Sequence, residues 1–510
     1  MSRFRFTQLS LTRLQIVAVF IIILALSLIS IWHNALKYDY PVGYAGMYAQ
    51  MANQIADENF KLPMEIQFYG SGGVPAAFPP LGMYLLALDL RMFGSPWAYI
   101  RFVPIILSTF ALIPLFLFVR RLTSSNMTGL ITILLASSSP YLYSTHTTAA
   151  GVVRGLAYFF GLFFFYYFLR ATQNPSKKET FIAGILLSLT ILTHLSYAFF
   201  FVLWSLIWMI VNPKREIWLR SIWIGSIAAL FSLPWALLII SRHGWQVFFN
   251  ALGSHGTLSI FGIFGDFTAL FNIISISLSE ILKQRVLTIM AILGFVHIVR
   301  KKHWFFILAT ILTSLFSLES RRFMILLGCI FAALVVTTIT AWLLKFIKDK
   351  GRLQYILIPY IIGSLIIGGI YLNGMQSILV QTPSLSASLL ESAKYLRTNS
   401  NVKSSYIILA DHNEAEWFPF LAQRVELFGF WGGEWNGSRS SLSDEFFMSM
   451  ECGRNGDIEC LEKTFQDVNH PPQYLIVMKR RYPKFINALS AQQNWKLVFK
   501  NSGYQIWRQQ

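Results

Sequence analysis

Long apolar segments recur throughout residues 1–371 and restrict this chain to very few folds. Eleven segments of roughly 15 to 22 residues are almost free of charge, and about 20 apolar residues suffice for a helix to cross a bilayer. Only 13% of the residues are charged, whereas soluble proteins carry about a quarter. We therefore predict a polytopic α-helical membrane protein with about 11 transmembrane helices. The predicted spans are 14–32, 99–119, 127–143, 155–169, 180–194, 197–211, 221–240, 284–299, 304–318, 323–344 and 354–371.

The distribution of basic residues predicts how the chain is oriented. Residues 1–371 carry 28 basic and 11 acidic side chains, whereas residues 372–510 carry 14 and 13. The basic excess lies in alternate short connectors, as the positive-inside rule expects of cytoplasmic loops. We therefore expect a multi-pass protein of the cell membrane with a cytoplasmic N-terminus. The first span has a basic flank and no small-residue cleavage site after it, which is typical of a retained signal anchor.

The net charge of +18 does not indicate a nucleic-acid partner. No basic groove interleaved with aromatic residues is present in the sequence, and the connectors already account for the basic excess. Membrane lipid is the expected surrounding partner instead.

The C-terminal segment differs in composition from the rest of the chain, so we predict two domains, 1–371 in the membrane and 372–510 outside the cytoplasm. The second would be a small α/β domain, because short β-rich runs alternate with helix-like segments. The candidate strands are 405–410, 474–479, 496–500 and 504–508, and the last two are joined by an Asn-Ser-Gly turn. Cys452 and Cys460 can form a disulfide if this domain lies outside the cytoplasm, and the sequence leaves the pairing open.

Charged side chains on the predicted outer side gather near the ends of a few spans. Charges at the membrane boundary are costly unless they are solvated, paired or bound to a ligand. Their restriction to one side predicts a shared cavity facing outward, and no string of intramembrane acids indicates a proton relay. The residues singled out are Asp39, Asp57, Glu58, His146, Arg154, Arg242, Glu319, Arg321 and Arg322.

The connector after the first span contains two predicted amphipathic helices. Tyr44, Met47, Met51 and Ile55 recur at spacings of three and four residues, which predicts a helix over 41–57 that starts at a proline and lies flat on the membrane surface. The run "FPPLGMYLLALDLRMFG" forms a second such segment. The many Tyr and Phe residues within the spans are interpreted as packing and lipid-facing side chains.

These features together resemble the GT-C superfamily, integral-membrane glycosyltransferases that use polyprenyl-phosphate-linked sugars. The likeness includes "PPLGMYLLAL", "GVVRGLAYFFGLFFFYYFLR", "ILTHLSYAFFFVLW" and "LPWALLIISRHG", which are similar to bacterial members of the protein-mannosyltransferase type. In the C-terminal segment, "EWFPFLAQR" and "FGFWGGEW" resemble a stretch found in some members.

The resemblance implies a glycosyltransferase that moves a sugar, such as mannose or another hexose, with inversion to a protein, lipid or glycan acceptor. Asp39 matches the carboxylate of the first outer loop, which in this family is the catalytic base or an essential carboxylate, and as the base it would take the acceptor proton. Arg321 and Arg322 lie where the family often has phosphate-binding cations, and guanidinium groups suit phosphate oxygens. Arg154 and Arg242 are further phosphate-binding candidates, and the acceptor candidates are Asp57, Glu58, His146 and Glu319.

The sequence assigns no cofactor and no metal ligand. Tyr40 follows Asp39 where many members have a second acid, and the connector with His146 and Arg154 contains no carboxylate. A divalent cation is thus left open but unsupported.

Two other functions also fit a chain of this kind. A transporter or flippase for a lipid-linked glycan would show inverted repeats with broken helices in matching halves, and no internal repeat is evident. A non-catalytic membrane subunit would keep the scaffold and present residues 372–510 to a partner, an alternative favoured by the missing second acid.

Overall fold

Helices dominate the part of the chain that the computed structural model describes, which comprises residues 12–174, 176–254, 285–315, 320–343, 383–429, 431–436, 439–466 and 471–510. The elements up to residue 254 are α1 (Arg13–Ile31), α2 (His33–Lys37), α3 (Gly46–Asp57), β1 (Glu65–Ile66), β2 (Val74–Pro75), α4 (Leu81–Phe93), α5 (Trp97–Phe110), α6 (Leu112–Thr123), α7 (Asn126–Ser138), α8 (Pro140–Thr147), α9 (Gly151–Gln173), α10 (Lys177–Ile191), α11 (Leu195–Val211), α12 (Arg215–His243) and α13 (Gln246–Ser254). They continue with α14 (Arg285–Arg300), α15 (Trp304–Leu315), α16 (Ser320–Leu343), α17 (Ala387–Asn399), β3 (Ser405–Leu409), α18 (His412–Ala422), β4 (Val425–Glu426), α19 (Gly433–Asn436), α20 (Arg439–Asn455), α21 (Ile458–Thr464), β5 (Tyr474–Met478), α22 (Pro483–Ser490), β6 (Trp495–Lys500) and β7 (Tyr504–Gln509).

The chain forms two compact units, each made of separate stretches of sequence. The first unit comprises Met1–Asp39, Phe102–Leu237 and His255–Gln381, and the second comprises Tyr40–Arg101, Leu238–Ser254 and Thr382–Gln510. The predicted domain boundary at 371/372 lies outside the described residues and stays a prediction.

Several helices have the length and composition of membrane spans. Four in the described part are long and apolar enough to cross a bilayer: Trp97–Thr123 (α5 and α6 together), Gly151–Gln173, Arg215–His243 and Ser320–Leu343. They coincide with the predicted spans 99–119, 155–169, 221–240 and 323–344. Shorter apolar helices match four others and the first part of the span 127–143, and α10 matches the span 180–194. The span 354–371 lies outside the described residues, so the count of 11 stays a prediction.

The predicted span 127–143 is wrong as a single helix. The helix α7 stops at Ser138, and α8 begins at Pro140 after an extended Ser139 with φ −87° and ψ 103°. Proline has no backbone N–H and keeps the preceding residue out of the helical region, which explains the break. The predicted break at His194 is confirmed, since α10 ends at Ile191 and α11 begins at Leu195.

The second unit contains a five-stranded mixed sheet with strand order β4-β3-β5-β7-β6. The strand β3 runs parallel to both β4 and β5, while β7 is antiparallel to β5 and β6. All four predicted strands of the C-terminal segment are confirmed. The turn between β6 and β7 is also confirmed, because the Asn501 side chain accepts hydrogen bonds from the N–H groups of Gly503 and Tyr504.

Residues of the first connector belong to this sheet as well. The Gly70 N–H donates to the Glu426 carbonyl at 2.9 Å, and the Glu426 N–H donates to the Phe68 carbonyl at 3.0 Å. Tyr69 thereby pairs in parallel with the edge strand β4. Residues 40–101 and the C-terminal segment therefore form one folded unit, although 280 residues separate Arg101 from Thr382 in the sequence.

The helix α3 differs from the predicted surface helix over 41–57. It begins at Gly46, because Gly43 has a positive φ of 88° and Ala45 has φ −166°, so Pro41 lies outside it. Ten of its twelve residues are buried, and it packs against α4 and α18. The side predicted to face the membrane is therefore covered by protein.

A buried carboxylate holds the N-terminus of α3. Glu416 on α18 is 2% exposed, and its two oxygens accept hydrogen bonds from the N–H groups of Gly46 at 2.7 Å and Met47 at 2.8 Å. The first N–H groups of a helix have no partner within the helix and carry positive partial charge, so a carboxylate is their natural partner. Gly46 permits the close approach, because a Cβ there would lie 2.4 Å from the Glu416 carbonyl oxygen.

A second buried carboxyl group lies close to Glu416. Glu426 is 1% exposed, and burial together with the negative charge of Glu416 raises its pKa well above the usual range. Burial also raises the pKa of Glu416, to about 7, because the hydrogen bonds from the helix N-terminus only partly offset the loss of solvation. Burial and the charge of Glu416 thus favour the neutral form of Glu426, whereas the helix N–H groups favour the ionised form of Glu416.

Substitution of these two residues by glutamine has different expected effects on stability. Glu416→Gln places an amide N–H₂ against a buried backbone N–H, so we expect unfolding to become easier by about 1–3 kcal/mol at pH 8. Glu426→Gln replaces a neutral carboxyl by a neutral amide of the same shape and should change stability by less than about 0.5 kcal/mol. Thermal unfolding of the full chain in detergent measures both. The account of α3 is wrong if the two variants unfold at the same temperature.

Candidate active site

Two residues predicted from the sequence, His146 and Arg322, are linked in the first unit through a third. The Tyr197 hydroxyl lies 2.8 Å from His146 Nε2, and Arg322 Nη1 donates to the same hydroxyl at 3.3 Å. The other imidazole nitrogen, Nδ1, lies 2.7 Å from the Leu142 carbonyl oxygen one helical turn earlier. The helices α8, α11 and α16 thus meet at one polar cluster within an apolar unit.

Arg154 lies on α9, between two glycines whose backbone is close to His146. A Cβ on Gly151 would lie 2.1 Å from the His146 carbonyl oxygen, and one on Gly155 would lie 3.1 Å from it. The backbone of α9 therefore passes directly against His146. Arg154 precedes Gly155 and is half-buried in the first turns of α9.

Arg321 and Arg322 occupy the first turn of α16, a helix of 24 residues. Both are half-buried, and no acidic residue lies in that turn. A helix N-terminus carries positive partial charge, so the two arginines add to a field that favours an anion at this position. Backbone N–H groups and guanidinium groups at a helix start are suited to phosphate oxygens.

Asp39 lies on the segment that follows α2 and is exposed. It is the last residue of the first unit before the chain enters the second at Tyr40. The carboxylate is accessible, as a group that exchanges a proton with a substrate must be.

The other candidate residues have different surroundings. Asp57 and Glu58 are exposed at the end of α3, where Asp57 accepts a hydrogen bond from Asn53 at 2.9 Å. Arg242 belongs to the second unit, where its Nη1 donates to the carbonyl oxygens of Leu62 and Pro63 at 2.9 and 3.0 Å. Glu319 lies outside the described residues. The proposed roles of all four residues stay predictions.

The residues described by the structure do not fit a metal ion. Within those ranges, no three His, Cys, Asp or Glu side chains are grouped so that they could hold one.

Tyr197 was missed by the sequence analysis, which treated the aromatic residues of the spans as packing. The only signal was its position in "THLSYAFFF", three residues after His194 at the start of an apolar helix. The structure corrects that interpretation, because Tyr197 is fully buried and its hydroxyl joins His146 to Arg322.

Known structures with the same fold are membrane glycosyltransferases. The archaeal oligosaccharyltransferase AglB from Archaeoglobus fulgidus, solved with an inhibitory peptide and a dolichol-phosphate, has a TM-score of 0.65 at 13% identity, with 93% of this chain and 70% of that chain covered. ArnT from Cupriavidus metallidurans, solved with undecaprenyl phosphate, has a TM-score of 0.58 at 12% identity, with 97% of each chain covered. The mycobacterial arabinofuranosyltransferase AftD has a TM-score of 0.54 at 11% identity, with 99% of this chain and 40% of that chain covered.

This chain therefore has the fold of the GT-C superfamily, and the resemblance seen in the sequence is confirmed. More particularly, the family model of dolichyl-phosphate-mannose-protein mannosyltransferases matches residues 77–242, about a third of the chain. No curated protein sequence matches this chain. With this fold and its apolar helices, the chain is a multi-pass membrane protein.

The close contact between Gly151 and His146 yields a test of the site's packing. Gly151→Ala forces a methyl group against the His146 carbonyl and Pro104, so we expect a loss of about 1–3 kcal/mol, as overpacking usually costs. Gly225→Ala on α12 is the matched control, because a Cβ there meets no heavy atom within 4 Å and alanine favours helix. Thermal unfolding in detergent compares the two, and a Gly151→Ala variant as stable as the Gly225→Ala variant would contradict the packing.

Proposed function

We propose that this protein is a glycosyltransferase that moves a sugar from a polyprenyl monophosphate to an acceptor outside the cytoplasm. The observation that carries the proposal is the cluster of Arg322, Tyr197 and His146, at the start of a helix with two arginines, within a GT-C fold. Two structures of the same fold contain dolichol-phosphate or undecaprenyl phosphate, which supports a lipid-linked phosphate as the donor.

In the proposed reaction, the Asp39 carboxylate takes the proton of the acceptor hydroxyl as its oxygen attacks the anomeric carbon. The bond between that carbon and the phosphate oxygen breaks, and its electron pair stays on the departing polyprenyl phosphate. Attack from the face opposite the leaving group inverts the anomeric configuration. Arg321 and Arg322 stabilise the negative charge that develops on the phosphate, with Arg154 and Arg242 as further candidates.

The C-terminal segment belongs outside the cytoplasm in this proposal. Cys452 on α20 and Cys460 on α21 form a disulfide with a Cα–Cα distance of 5.5 Å. Disulfides persist in oxidising compartments and are rare in the cytosol, so this bond supports the predicted location of residues 372–510. The basic connectors on the other side are consistent with it.

The name of the matching family model supports mannose as the sugar and protein as the acceptor. We therefore propose mannose or another hexose as the sugar. A lipid or glycan acceptor uses the same chemistry, since each offers a hydroxyl group to the same base.

The proposal is tested with the purified full chain in lipid nanodiscs. Mannosyl-phosphoundecaprenol carrying a radiolabelled sugar is the donor, and a cell-envelope extract supplies acceptors. We expect release of undecaprenyl phosphate with transfer of label, and Asp39→Asn should reduce the rate by about 100-fold or more, as loss of a general base does. Asp444→Asn, a change at an exposed acid of α20, should leave the rate unchanged.

Two results would count against this function. Full activity in Asp39→Asn would show that another group takes the proton. Movement of the donor from one leaflet to the other in liposomes that contain the protein, without formation of a glycosidic bond, would favour a flippase instead.

A further inference from the structure

Tyr197 is a fully buried phenol whose hydroxyl contacts a base on one side and a cation on the other. Its ring is held by aromatic neighbours, with centroid distances of 5.4 Å to Phe323 and 5.0 Å to His194. The hydroxyl is therefore fixed in position. It forms hydrogen bonds to His146 at 2.8 Å and Arg322 at 3.3 Å.

The hydrogen-bonding groups define the direction of the hydrogen bonds that join Leu142, His146, Tyr197 and Arg322. The Leu142 carbonyl can only accept, so His146 Nδ1 carries the hydrogen. In the neutral ring Nε2 is then the acceptor, and the Tyr197 hydroxyl donates to it.

With its hydrogen donated to His146, the Tyr197 oxygen accepts a hydrogen bond from Arg322. A guanidinium group has five N–H donors and no acceptor, and Nη1 uses one of them here. The guanidinium carbon also lies 5.8 Å from the centroid of the Tyr197 ring, within range of a cation–π interaction. Two contacts from one rigid side chain therefore help to orient the guanidinium group of a long side chain.

We infer that Tyr197 is a positioning residue that aligns the Arg322 guanidinium group with the phosphate of the lipid-linked donor. The inference rests on the proposed function, since it assigns Arg322 to that phosphate. Pre-ordering the cation avoids the cost of fixing it when the phosphate binds and when charge develops on the leaving oxygen. His146 fixes the Tyr197 hydroxyl by their hydrogen bond, so His146 acts on Arg322 only through Tyr197.

The test removes the hydroxyl of Tyr197 while keeping its ring. Tyr197→Phe should weaken binding of undecaprenyl phosphate and lower kcat/KM by about tenfold, the effect of losing one hydrogen bond to a charged group. Tyr158→Phe is the matched control. The Tyr158 ring stacks on His146 at 4.3 Å, but its buried hydroxyl has no hydrogen-bond partner among the described residues, so binding and turnover should stay as in the wild type.

A double-mutant cycle separates positioning from a general structural effect. If Tyr197 acts through Arg322, Tyr197→Phe should change binding by less than about twofold once Arg322→Ala is present. Independent tenfold losses from the two substitutions would overturn the inference, as would unchanged binding in either single variant. Should Tyr197→Phe fail to fold, His146→Asn, which removes the acceptor of the phenol hydrogen, replaces it in the same cycle with the same criteria.

Binding and turnover are measured separately so that the two proposals can fail separately. A wild-type protein that binds undecaprenyl phosphate but transfers no sugar contradicts the proposed function, and the binding cycle still decides the role of Tyr197. A wild-type protein that transfers sugar, with Tyr197→Phe equal to Tyr158→Phe in binding and kcat/KM, contradicts only the role of Tyr197.

Discussion

The carboxylate of Glu416 at the N-terminus of α3 is the interaction on which the second unit depends. It joins two segments 370 residues apart in the sequence and neutralises helix N–H groups that are cut off from water. A buried ion of this kind is retained only where its hydrogen bonds are well made, and both oxygens of Glu416 accept one. The Trp417 indole reinforces the joint by donating to the Gly43 carbonyl at 2.8 Å.

This joint also gives a physical meaning to the motif "EWFPFLAQR". Its first residue, Glu416, binds the start of α3, and its second, Trp417, contacts Gly43. Its last residue, Arg424, donates to the side chain and the carbonyl oxygen of Ser400, directly after α17. The segment thus connects the first connector, residues 40–101, to the C-terminal sheet. The loop that starts directly after Asp39 is consequently held in place by hydrogen bonds from the C-terminal segment. Both of these segments carry sequence that resembles GT-C enzymes.

Much of the fold could be predicted because local rules dominate it. Apolar length gave the long helices, and the alternating runs and the Asn-Ser-Gly turn gave the strands β3, β5, β6 and β7. The burial of α3 could not be predicted, since an amphipathic helix has the same pattern on a membrane as against α4 and α18. The break at Ser139 was missed because Pro140 was included in an apolar run.

The charged and polar candidates of the site could be predicted from the sequence, but the hydrogen bonds that join them could not. Arg322 and His146 stand out in an apolar sequence because charge and polarity are costly there. Tyr197 does not stand out, because its ring suits a span and only its hydroxyl, 2.8 Å from His146, makes it polar. Side-chain partners on different helices depend on packing that no local pattern encodes.

The central claim is that the first unit binds a lipid-linked phosphate at the start of α16. The most direct measurement is photo-crosslinking with an undecaprenyl phosphate analogue that carries a diazirine next to its phosphate, followed by mass spectrometry of the labelled peptides. We predict labelling of peptides around Arg321 and Arg322 and around His146 and Arg154, displaced by undecaprenyl phosphate and weakened by Arg322→Ala. Labelling confined to other helices, or labelling of these peptides that Arg322→Ala leaves unchanged, would contradict the claim.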